Sequence, residues 1–155
     1  FYFASRSLLY FYVFYSMNLL TDFRSAGGII VSNAISLLYF RTAAILLIVG
    51  MIFGIYMSAS GNHAATGAHA HLNLIGFVVM SIYGIFFGLN PQRSGGRLPK
   101  ILWGLNTVAA VVMFPSLALL LYGHPSFEPV VAVAALLALA GAILFAVMLF
   151  RTEAA

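Results

Sequence analysis

The sequence predicts an all-α, up-down bundle of four transmembrane helices, preceded by an aromatic segment that is a fifth or an interfacial helix. Three observations lead there. The chain is 63% hydrophobic and only 6% charged over 155 residues, where a soluble domain carries about 25% charged residues. Its mean hydropathy of +1.07 leaves too little polar surface to face water, so the bilayer is its solvent and lipid its first partner. Four apolar stretches are also long enough to span, since about 20 residues cross the hydrocarbon core.

The first span is expected near Leu37–Ser58, with Ser32 or Asn33 as its cap, because a short polar side chain there accepts from a free N–H of the first turn. The second runs near His69–Leu89 and ends in a loop rich in breakers: Pro91, Gly95, Gly96 and Pro99. The third covers about Ile101–Tyr122, stopped by Gly123-His124-Pro125. The fourth covers Pro129–Phe150, its proline suited to a first helical turn and Arg151 closing it. The short loops make neighbours antiparallel. Gly50/Gly54 and Gly84/Gly88 are small-xxx-small pairs that let helices approach closely. Ordinary packing within the chain explains them without a dimer.

This divides the chain into an N-terminal extension, 1–36, and a four-helix domain, 37–155. The extension is crowded with rings between Phe1 and Tyr15, which suits the membrane interface. No small-residue cleavage site follows its apolar run, so it does not read as a secretory signal. Met17 would serve as a natural start.

Charge fixes the expected orientation. With four spans, all seven basic residues (Arg6, Arg24, Arg41, Arg93, Arg97, Lys100 and Arg151) fall on one side, and all four histidines (His63, His69, His71 and His124) on the other. The positive-inside rule puts the basic side, with the C-terminus, in the cytoplasm. In a bacterial inner membrane the histidine-bearing ends then face the periplasm. So few charges do not make the dense basic patch that nucleic acid requires. The absence of Cys excludes disulfides, thiolate metal sites and iron–sulfur ligation. Asp22, Glu128 and Glu153 are the only acids and are far apart in this topology. With no nucleophile or acid–base set, the chain is not expected to be an independent enzyme; if a reaction occurs, a cofactor carries it.

The histidines are the candidate site, since ionisable groups at membrane depth are costly. His69 and His71 are separated by about 200° around a regular helix, so they serve two sites on opposite faces. Asn73, four residues after His69, shares its face and can orient a ligand there. The alternative is a histidine resting at the headgroup level on water or a loop carbonyl. A copper or zinc site at the outer surface can be composed from His63, His69 or His71, His124 and Glu128.

The stretch His69-Ala70-His71-Leu72-Asn73-Leu74-Ile75-Gly76 resembles the His-x-His helix of haem–copper oxidase catalytic subunits. Residues about 38–150 resemble the small four-span bacterial membrane proteins described as cytochrome oxidase subunit I-like. The shared features are Arg41-Thr42-Ala43, Gly50-x-x-x-Gly54, the His-Ala-His-Leu-Asn-Leu core and Glu128-Pro129. The resemblance implies haem b, with His69 and His71 as axial ligands on two sides of one helix, for electron transfer or diatomic-gas handling. The chain departs from the full oxidases in having histidine within only one span. No copper triad can be assembled, and a second axial ligand must come from His63, His124, Met57 or a neighbouring chain. The competing expectation is a non-catalytic subunit of a larger membrane complex. Either role makes the chain an oligomer or part of an assembly.

Overall fold

A computed structural model describes residues 33–150. The expectations for the aromatic segment, for Ser32 as a cap and for Arg151 lie outside the described residues. Four helices follow in order: α1 (Ala34–Ser60), α2 (Thr66–Leu89), α3 (Leu98–Leu121) and α4 (Glu128–Phe150). They make an all-helical four-helix bundle, and each is long and apolar enough to cross a membrane. Successive helices pack against each other, α1 on α2, α2 on α3 and α3 on α4. The antiparallel order gathers Arg41, Arg93, Arg97 and Lys100 at one end and all four histidines with Glu128 at the other.

Each helix end has a local cause. Asn33 caps α1, its Oδ1 accepting from Ser36 N–H at 2.7 Å. The cap lies inside the segment expected to be an extension, so α1 starts before residue 37. Gly61, with φ +65°, turns the chain out of α1, a left-handed conformation in which glycine carries no Cβ penalty. Gly123, at φ +95°, does the same after α3. Pro115 lies inside α3 without ending it. The hydroxyl of Ser116 donates to the carbonyl of Val112 at 2.7 Å.

The main core sits toward the basic end and joins Ile35, Tyr39, Ala43, Met80, Tyr83, Phe87, Leu102 and Met148. Tyr39 and Tyr83 meet edge to face at 6.1 Å, while Phe145 of α4 lies 4.2 Å from the Tyr83 ring. Polar bonds tie the helices together at this end. Asn33 Nδ2 donates to Phe87 O at 2.6 Å and Ser36 Oγ to Gly84 O at 2.8 Å, both from α1 to α2. Tyr39 OH donates to Pro99 O at 2.8 Å, and Trp103 Nε1 to Thr42 Oγ1 at 2.9 Å, joining α1 to α3. Arg93 Nη1 donates to Met148 O at 2.6 Å, placing a cation on the last carbonyls of α4, where the helix dipole favours it.

The outer faces are apolar. Ile45, Ile48, Ile52 and Ile55 of α1, and Val133, Leu136, Leu139 and Ile143 of α4, are all exposed. A continuous apolar surface of this kind is what hydrocarbon tails cover. The fourth helix is the least buried of the four.

Candidate functional site

The second helix changes its winding at the histidine pair. It begins as an α-helix over Thr66–His71, becomes π-helical over Leu72–Val79 and returns to α over Met80–Leu89. A π segment is wider, with i→i+5 bonds, and is rare outside short bulges that cluster at functional sites. Here it starts directly after His71 and contains Asn73. Nothing in the residue pattern of an apolar span signals such a switch.

The two histidines face different surroundings. His69 is half-buried in the seam between α1 and α2. Its ring lies 6.5 Å from that of Phe53, and a Cβ added at Gly54 would stand 3.0 Å from its Cε1. Asn73 Nδ2 donates to the carbonyl of His69 at 3.1 Å and lies 3.2 Å from its Nε2 and 3.4 Å from its Nδ1. Near-equal distances to both ring nitrogens place the amide nitrogen off the axis of either lone pair. The expected i, i+4 partnership of His69 and Asn73 is therefore present. The Gly50–Gly54 pair of α1 makes it possible, because a Cβ at Gly50 would collide with Asn73 Oδ1. That geometry aims a Gly50 Cα–H at the oxygen, the weak C–H···O contact that recurs between close helices. Asn73 Oδ1 is buried and has no conventional hydrogen-bond partner.

His71 lies on the other side of α2 and is exposed. Its Nδ1 is 2.8 Å from the carbonyl of Gly67. A carbonyl has no proton to give, so Nδ1 carries the hydrogen, and in the neutral ring the lone pair is on Nε2. This is the pattern of a ligating histidine whose other nitrogen is fixed by a backbone oxygen. The expectation of two rings on opposed faces thus corresponds to one inward and one outward imidazole.

The His69 ring therefore sits against the backbone of α1 at Gly54 and beside the amide of Asn73. The remaining histidines sit in exposed loops. The carbonyl of His63 accepts from Thr66 N and Thr66 Oγ1 at 3.1 and 2.7 Å, fixing the start of α2. The amide of His124 bonds Leu119 O at 3.1 Å as part of the turn closing α3. Their backbones have structural roles and their rings are free of the seam. Met57 is buried among Ala65, Ala68 and Ala118. Among the described residues no group of three His, Asp or Glu side chains converges to hold a metal ion.

Two further polar groups were not singled out by the sequence. Asn106 of α3 is buried against Gly141 of α4, where an added Cβ would lie 3.1 Å from its Oδ1, and its Nδ2 has no partner. The neighbouring Thr107 Oγ1 is also buried and unpartnered. A lone Asn in an apolar run was the available signal. No family model, curated protein or solved structure matches this chain.

Proposed function

We propose that the chain is a haem b-binding subunit of a bacterial inner-membrane assembly, with His71 as an axial ligand and electron transfer as its role. The observation that carries this reading is the His71 imidazole, exposed on α2 with Nδ1 held by the Gly67 carbonyl and Nε2 free. A neutral imidazole with that tautomer supplies an axial nitrogen without further rearrangement. The bound group would supply reversible one-electron chemistry, while Gly67 orients the ligand ring and Asn73 keeps His69 in the seam. The resemblance of His69–Gly76 to the oxidase His-x-His helix supports the choice of haem. The basic end is proposed to face the cytoplasm.

An oxidised and dithionite-reduced visible spectrum of the detergent-purified protein tests the reading. The expected result is a Soret band with a sharp reduced α-band, both lost in His71→Ala. A preparation that stays colourless after haem is supplied refutes it. For sidedness, a single cysteine at Gly95 should be protected from an impermeant thiol reagent in intact cells, and one at Asn62 should react. The reverse pattern inverts the topology.

The second reading, a structural subunit without cofactor, is favoured by the sparse burial of α4, whose exposed face offers a broad packing surface. The copper or zinc reading has less support, given that no three ligands converge among the described residues.

A further inference from the structure

We propose that α2 is a two-register helix: its π-helical stretch tightens into α and turns the histidine-bearing flank by one residue against α1, so that Ala70 replaces His69 on Gly54. The exchange belongs to the chain with no group bound and is independent of the haem reading. The first observation behind it is the winding. Leu72–Val79 is π-helical between two α-helical stretches, and a π turn holds more residues than an α turn. Tightening it lengthens α2 and rotates one flank against the other, by about 100° for each residue of shift. The second is a cost that the observed register carries. Asn73, within the π stretch, keeps its Oδ1 buried against Gly50 with no conventional hydrogen-bond partner, and an unmet acceptor away from water is unfavourable. The turn takes Asn73 off Gly50.

The third observation is the sequence of the flank that moves. In Gly67-Ala68-His69-Ala70-His71 both neighbours of His69 are alanine. Gly54 meets the His69 ring so closely that an added Cβ would lie 3.0 Å from its Cε1, and alanine, smaller than histidine, fits the same wall. Elsewhere this flank packs through Ala65 and Ala68 beside Met57 and Ala118, and methyl groups slide past one another without interlocking. Its link to α1 is the exposed turn 61–64. The other flank, Met80–Leu89, is tied to the start of α1, because the carbonyls of Gly84 and Phe87 accept from Ser36 and Asn33. The histidine-bearing flank is therefore the one that turns. In the observed register one ring faces the seam and the other faces outward. With Ala70 on Gly54, His69 and His71 lie about 100° to either side of it, and both imidazoles flank the seam. The exchange sets how many ring nitrogens this end presents.

Helix register shifts fall in the microsecond-to-millisecond range, which backbone nitrogen-15 relaxation dispersion of the full chain in lipid nanodiscs reads. The expected result is dispersion, or doubled signals where exchange is slower, over Thr66–His71 and Leu72–Val79, with Met80–Leu89 flat. Deleting Val78, an exposed residue of the π stretch, removes the extra residue and should leave one α-helical register with a flat profile throughout α2. Deleting the exposed Leu74 serves the same purpose if the first variant does not fold. A single sharp set of signals across α2 in the unmodified chain, or exchange that persists in a folded deletion variant, would overturn the two registers. Haem uptake is read separately by the visible spectrum, so failure of either idea leaves the other standing.

Discussion

The two ends of this bundle are held in different ways. At the basic end, side chains of Asn33, Ser36, Tyr39, Trp103 and Arg93 bond to groups on other elements, joining all four helices. At the histidine end, among the described residues, the side-chain bonds stay within one helix or its adjoining turn: His71 to Gly67, Asn73 to His69, Ser60 to Met57 and Thr66 to His63. Lipid tails are as apolar as Leu, so burial alone does little to hold membrane helices together, and close packing and polar bonds carry the association. One end is therefore fastened. The other depends on glycine-mediated approach and keeps a ring nitrogen free, which suits a site that takes a ligand or neighbour.

The largest expected effect breaks the approach itself. Gly50→Val puts a branched side chain where Asn73 Oδ1 sits and should destabilise by about 1–3 kcal/mol, the usual range for overpacking. An unchanged thermal midpoint in detergent would mean that α1 and α2 do not meet there as described.

Next comes the fastening. Tyr39→Phe leaves the Pro99 carbonyl without its hydroxyl donor and should cost about 1–2 kcal/mol, as expected for a buried hydrogen bond with one partner removed. Thr66→Val at the histidine end loses an exposed bond and should cost less, on the order of 0.5 kcal/mol. Equal losses at the two ends would remove the distinction between them.

Thr42→Val tests the α1–α3 contact with about 1 kcal/mol expected for a neutral hydrogen bond. The chain has one tryptophan, Trp103, so a change in emission is assignable to the indole that makes this contact. Unaltered emission would show that the indole is not bonded to Thr42. The smallest stability effect belongs to His71→Ala, within about 0.5 kcal/mol for an exposed side chain, although the same change should abolish haem uptake. Unfolding measured beside the Soret absorbance separates the two readouts.

Much of the architecture was legible before any coordinates. Four spans could be placed because apolar runs of bilayer length are separated by Pro91, Gly95, Gly96, Gly123 and Pro125, where backbone chemistry stops helices. The observed ends differ from the expected ones mostly at helix starts, as at Ala34 and Leu98, since polar first turns at the interface carry little hydropathy signal. The separation of His69 from His71 followed from helix geometry. Which of them faces α1 did not, because rotation about the axis of an almost uniformly apolar helix is set by neighbours, and the sequence pattern contains no strong polar face to fix it.

What the sequence by itself determined is the apolar character that suits a bilayer, the four spans that follow residue 36, the gathering of basic residues at one end and histidine at the other, and the common face of His69 and Asn73. These follow from hydropathy, length and helical periodicity, all local properties. Only the tertiary structure decided that Gly50 and Gly54 receive Asn73 and His69, that α2 widens into a π-helix after His71, that Arg93 caps α4, and that of the two histidines on α2 it is His71 that faces outward. Each depends on contacts between residues distant in the chain or on the balance between two helical windings of similar energy, and no short window of sequence encodes either.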